Sequence, residues 1–122
     1  PVHGDYQFAN VLRTNSEAIA ILDFDTCGMG YIAEDLLTFV WRSDMEIRSE
    51  KINDAFLDGY EEVRPLHAEE KEFLPIFRVA RDLVMSSSFA MLINRVGPVP
   101  GFDGDFSPFT EMVKRHLEMA GL

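Results

Sequence analysis

Two short apolar runs, NVLR at 10–13 and AIAILD at 18–23, flank the polar cluster TNSE. Runs of this length, rich in branched residues and separated by turn formers, predict a β-hairpin. TCGMGY at 26–31 follows, and its glycines read as loop punctuation rather than a phosphate-cradling loop. From there the apolar period lengthens to that of a helix. Ala33, Leu36, Leu37 and Val40 fall at helical spacing, with Trp41 widening the apolar side. A second helix is expected from about Met45 to Val63, with Ile52, Phe56, Tyr60 and Val63 as its stripe. Arg64-Pro65 should end it, because the residue before proline is pushed out of the helical region.

A third, long helix is expected from about Ala68 to Val96. Phe73, Phe77, Ala80 and Val84 form one apolar face, and Ile76, Val79 and Leu83 another. Two apolar faces suggest a buried central helix. Pro75 lies at least a turn inside it, which predicts a kink or a late start. GPVPGFDGD at 97–105 is a loop, after which Ser107 suits an N-cap with Pro108 at the first helical position. Phe109, Met112, Val113, His116 and Ala120 share one face of the last helix. The fold class is therefore α+β, mostly α: a short hairpin and about four helices, in a single domain over 1–122.

The 122 residues suffice for one hydrophobic core, and 47% hydrophobic with 26% charged residues is a globular composition. A net charge of −10 argues against a general nucleic-acid or anionic-membrane surface. No segment approaches the roughly 20 apolar residues of a membrane span. Cys27 is the only cysteine, so an intrachain disulfide is ruled out and a reducing, cytoplasmic setting is the simpler expectation. It reads as a partly buried, inert thiol. His67 and His116 read as surface or helix-edge residues, and Phe39, Phe56, Phe73, Phe77 and Phe89 as core.

The candidate chemistry gathers at the N-terminal end. Asp5 in a loop, Asn10 at the start of one strand and Asp23 at the end of its partner can face one cleft, because paired strands lie about 5 Å apart. All three offer oxygen, which suits Mg²⁺, an ion that also keeps waters and phosphate oxygens. His3 has no second histidine or thiolate at ligand spacing, so a zinc site is not indicated.

His3, Gly4, Asp5 and Asn10 as H-G-D-x-x-x-x-N, then L-D-F-D with Asp23 and Asp25, then G-x-x-x-E-D-L from Gly30 to Leu36, resemble the aminoglycoside phosphotransferase family. That family is related to choline kinases and, more distantly, to protein kinases. The resemblance implies the C-terminal lobe of a protein-kinase-like fold, with ATP and Mg²⁺ as cofactors and a small-molecule hydroxyl as acceptor. Asp5 would be the catalytic base or orienting carboxylate, and Asn10 and Asp23 the metal ligands. Asp25 would assist the metal or face solvent. Asp35 would brace the catalytic loop, with His3 packed beneath it. Trp41, Tyr60 and the 97–105 loop are candidates to line the acceptor pocket.

No Gly-rich phosphate loop and no strand lysine are present, so the nucleotide-covering lobe is expected upstream of Pro1. These 122 residues alone are then expected to be inactive, with an apolar surface open to homodimerisation. Two other readings stand beside this one: a non-catalytic helical interaction domain of kinase-like shape, and a protein-serine kinase of the same superfamily.

Overall fold

The structure, a computed structural model, describes residues 1–47, 49–97, 99, 102 and 104–122. In chain order it has a 3₁₀ turn (Phe8–Asn10), β1 (Val11–Arg13), β2 (Ile19–Ile21), α1 (Ile32–Glu46), α2 (Glu50–Val63), α3 (Ala68–Val96) and α4 (Ser107–Met119). This is the mostly helical α+β class expected from the pattern. The chain forms two compact units, Pro1–Glu72 and Phe73–Leu122, with the division inside α3.

In the first unit, β1 and β2 pair antiparallel, Val11 opposite Ile21 and Arg13 opposite Ile19. The strands are shorter than the apolar runs because Thr14 and Ala18 already close the turn, with the Thr14 N–H donating to the Ala18 carbonyl at 2.8 Å. Most of the hairpin's apolar side chains are exposed, Ile19 at 68%. The buried apolar residues of this unit are Val2, Leu36, Leu37, Val40, Trp41 and Leu66. Four of them, Leu36, Leu37, Val40 and Trp41, share one face of α1, as their helical spacing requires.

α1 runs on to Glu46, so the second helix starts at Glu50 rather than near Met45. Its one buried residue is Asn53, whose Nδ2 donates to Asp44 Oδ1 at 2.7 Å, while Val63 of the expected apolar stripe is exposed. The ring of Phe56 instead stacks on Phe39 of α1, centroids 3.9 Å apart. Arg64 is extended before Pro65 and ends α2. Its guanidinium donates to both carboxylate oxygens of Glu70, which also accepts the His67 N–H at 2.9 Å at the start of α3. These donors hold the Glu70 carboxyl below the usual glutamate range, and Glu70 in turn raises Arg64.

α3 starts at Ala68 and continues through Pro75, so the alternative of a late start is not taken. It is not the buried central helix that its two apolar faces suggested. Only Val79 and Asp82 are buried, and Ile76, Leu83, Val84, Met91 and Leu92 are exposed. The second unit is closed by Phe109 and Met112 of α4 and by a ring cluster of Phe89, Phe102, Phe106 and Phe109. Ser107 is the first helical residue of α4 rather than its cap. The carboxylate of Asp105 accepts both its N–H and its hydroxyl at 2.8 Å, which holds Asp105 below the ordinary range. His116 is 2% exposed and joins the Asp82 carboxylate through Nδ1 at 2.5 Å. That corrects the reading of His116 as a surface residue: its place on the apolar face of α4 outweighed its polar ring.

Candidate active site

The residues singled out at the N-terminal end lie in the first unit, on three segments that hydrogen bonds tie together. Val2 and Gly28 form an isolated antiparallel bridge, at 2.8 and 3.1 Å, which brings the start of the chain beside the loop after β2. Next to it the N–H groups of His3 and Gly4 donate to Oδ2 and Oδ1 of Asp35, at 2.7 and 2.8 Å. Asp35 stands in the first turn of α1, where a negative charge also suits the helix dipole. One carboxylate thus satisfies two successive backbone donors of the loop.

Gly4 makes this turn possible. Its φ of +83° is the left-handed region, and a Cβ there would meet the Thr26 carbonyl oxygen at 2.5 Å. Thr26 closes the same contact from its side, its Oγ1 donating to the His3 carbonyl at 3.1 Å.

His3 is buried, and both ring nitrogens are engaged. Nε2 donates to the Leu22 carbonyl at 2.8 Å, and Nδ1 accepts the Asp5 N–H at 3.3 Å. This pattern needs the proton on Nε2, one tautomer of the uncharged ring. The ring therefore links the backbone of Asp5 to the residue just before Asp23, and the Phe24 ring covers it at a centroid distance of 4.6 Å.

Asn10 is placed by the hairpin, its carbonyl accepting the Leu22 N–H at 2.8 Å. Its Nδ2 donates to the Asp5 carbonyl at 2.9 Å and to Asp5 Oδ2 at 3.0 Å. Gln7 Nε2 donates to the same Oδ2 at 2.9 Å. Asp5 Oδ1 has no partner among the described residues. Tyr6, beside Asp5, sets its ring against Phe39 of α1 and Phe56 of α2, at 6.4 and 6.0 Å.

Asp23 is exposed and has φ +64°, a left-handed conformation that aspartate tolerates better than most residues. Asp25 is exposed as well. Among the described residues no three His, Cys, Asp or Glu side chains converge as a metal cluster. The donor set still fits Mg²⁺, which takes one or two protein oxygens and fills its shell with water and phosphate. Asn10 spends Nδ2 on Asp5 and keeps Oδ1, and Asp23 offers a carboxylate from the adjoining segment.

Trp41 lies in the core of the first unit at 7% exposure, with Nε1 buried and unpartnered among the described residues. Tyr60, half-buried on α2, receives the Arg64 guanidinium at 3.5 Å. Neither is joined to Asp5 by a hydrogen bond among the described residues. Of the 97–105 loop, Pro98, Pro100, Gly101 and Asp103 lie outside the described residues. Cys27 is exposed, not partly buried. Gln7 was missed in the sequence; its signal was an amide two residues after Asp5 in the same loop.

The profile of the phosphotransferase enzyme family, which includes the aminoglycoside phosphotransferases, matches residues 1–73. The chain belongs to this family. An uncharacterized protein of Deinococcus radiodurans is 32% identical over 93% of this chain and 36% of its own length. An uncharacterized Synechocystis protein is 38% identical over 58% of this chain and 20% of its own length. A homoserine kinase of Neisseria meningitidis serogroup B is 35% identical over 61% of this chain and 25% of its own length. The chain thus spans about a third or less of the curated relatives it matches. No solved structure matches it significantly. Among the described residues no helix is long and apolar enough to cross a membrane.

Proposed function

We propose that this chain contributes the C-terminal catalytic lobe of an ATP- and Mg²⁺-dependent phosphotransferase that acts on a small-molecule hydroxyl. The observation that carries the reading is the state of Asp5: two amides occupy Oδ2, and Oδ1 remains an open acceptor. A general base needs such an oxygen, oriented and unspent, within reach of the proton it takes.

In this reading Asp5 Oδ1 accepts the hydroxyl proton of the acceptor as the acceptor oxygen bonds to the terminal phosphorus of ATP, whose bond to the bridging oxygen breaks to release ADP. Asn10 Oδ1 and the Asp23 carboxylate would hold Mg²⁺, with Asp25 as a further oxygen nearby. The ion, when bound, neutralises charge on the phosphate oxygens. His3 and Asp35 keep the loop in register, so the protein's work is positioning. The greater length of the relatives supports assigning the reaction to a longer protein, with these residues alone expected to be inactive. A reducing, cytoplasmic setting is proposed from the single unpaired thiol.

The test is Asp5→Asn in the full-length protein, assayed for Mg·ATP turnover with a panel of small hydroxyl acceptors. Homoserine comes first because a relative is named for it. Turnover should fall by about 10²–10⁴-fold with circular dichroism unchanged. Undiminished turnover in Asp5→Asn would refute the assignment and favour the non-catalytic interaction domain.

A further inference from the structure

We infer that Gln7 is a positioning residue for Asp5, holding the carboxylate so that Oδ1 faces the acceptor hydroxyl; this rests on the phosphotransferase reading above. Gln7 Nε2 and Asn10 Nδ2 both donate to Oδ2, at 2.9 and 3.0 Å. Two donors on one oxygen fix the plane of the carboxylate, because turning it away from this orientation about Cβ–Cγ weakens both bonds at once. The pincer is itself rigid: the Asn10 N–H donates to the Gln7 carbonyl at 2.9 Å, which locks the two residues together.

The other end of the Gln7 amide supports the same assignment. Oε1 is buried and has no hydrogen-bond partner among the described residues. A buried acceptor without a donor is unfavourable, and rotating the amide by half a turn would change its surroundings. That rotation, however, would set a carbonyl oxygen against the Asp5 carboxylate. The amide therefore stays with Nε2 on Asp5, and the contact to Asp5 outweighs the loss at Oε1. Asn10 holds Asp5 through Nδ2 while its Oδ1 is the proposed cation ligand, so its position is tied to the cation as well. Gln7 adds a second donor that serves Asp5 alone.

The experiment uses the full-length protein and Mg·ATP turnover with its best acceptor. Gln7→Met keeps the length of the side chain and removes the donor. It should lower kcat by about 10-fold with KM for Mg·ATP unchanged. Gln7→His, which returns an N–H near the same place, should recover part of the loss. In an Asp5→Asn background Gln7→Met should have no further effect, whereas a merely structural glutamine would remain additive. If Asp5→Asn abolishes turnover while Gln7→Met keeps the wild-type kcat, the inference about Gln7 fails and the phosphotransferase reading stands. If Asp5→Asn keeps full turnover, both fail together.

Discussion

Two carboxylates, one in each unit, do similar structural work in different ways. Asp35 reaches back 32 and 31 residues to the backbone of His3 and Gly4, and Asp82 meets His116 across 34 residues. Asp35 is half-buried, with one donor on each oxygen. Asp82 has no exposed surface, its Oδ2 pairs with His116, and its buried Oδ1 has no partner among the described residues. Asp35 thus braces a loop and asks for backbone alone, while Asp82 depends on a second side chain. A carboxylate that grips backbone survives many sequence changes around it. One that grips a ring is lost with the ring.

The largest expected effect comes from breaking the second pair. His116→Ala leaves a buried carboxylate uncompensated and should destabilise the second unit by about 3–5 kcal/mol, read from urea unfolding. Replacing Asp82 and His116 together by leucine should cost much less, because no buried charge is left. Equal losses in the single and double variants would show that the pair is not coupled.

Asp35→Ala comes next. It strips the partners from two backbone N–H groups and should cost about 2–3 kcal/mol. Hydrogen exchange at the His3 and Gly4 amides should rise specifically, and unchanged protection there would sink the brace. The same variant should cut turnover in the full-length protein, because it loosens the backbone that carries Asp5.

The smallest effect belongs to the surface pair of Arg64 and Glu70. Since Glu70 titrates below its ordinary range when folded, it binds fewer protons folded than unfolded. Its contribution is therefore present above the ordinary glutamate pKa and is lost as pH falls through the lowered value. The stability difference between the parent and Glu70→Gln should be measurable at neutral pH and vanish in strong acid. A difference that persists in acid would assign the effect to packing instead.

Asp35 and Asp82 also differ in how legible they were. Asp35 sits in a spaced motif with His3, Gly4 and Asp5, so its partner segment could be anticipated from the sequence. Asp82 carries no such motif. Its environment depends on the pairing of α3 with α4, which periodicity does not specify. Helical periods located α3 closely, yet they gave its burial wrongly, because a period reports a face and not whether anything covers that face. His116 was placed on the correct side of α4 by spacing and misjudged by residue type. Within the site, Asp5, Asn10 and Asp23 could be singled out from their chemistry. Gln7 could not, since its part depends on which way two amides turn.

The left-handed backbone at Asp23 restricts which side chains the position can accept. Asparagine and glycine fit that conformation at least as well as aspartate, and branched side chains do not. Asp23→Asn is therefore the substitution that isolates the charge, whereas Asp23→Val would confound it with a displaced turn. Any library built at this position will return a short alphabet for reasons of geometry before chemistry is asked to choose.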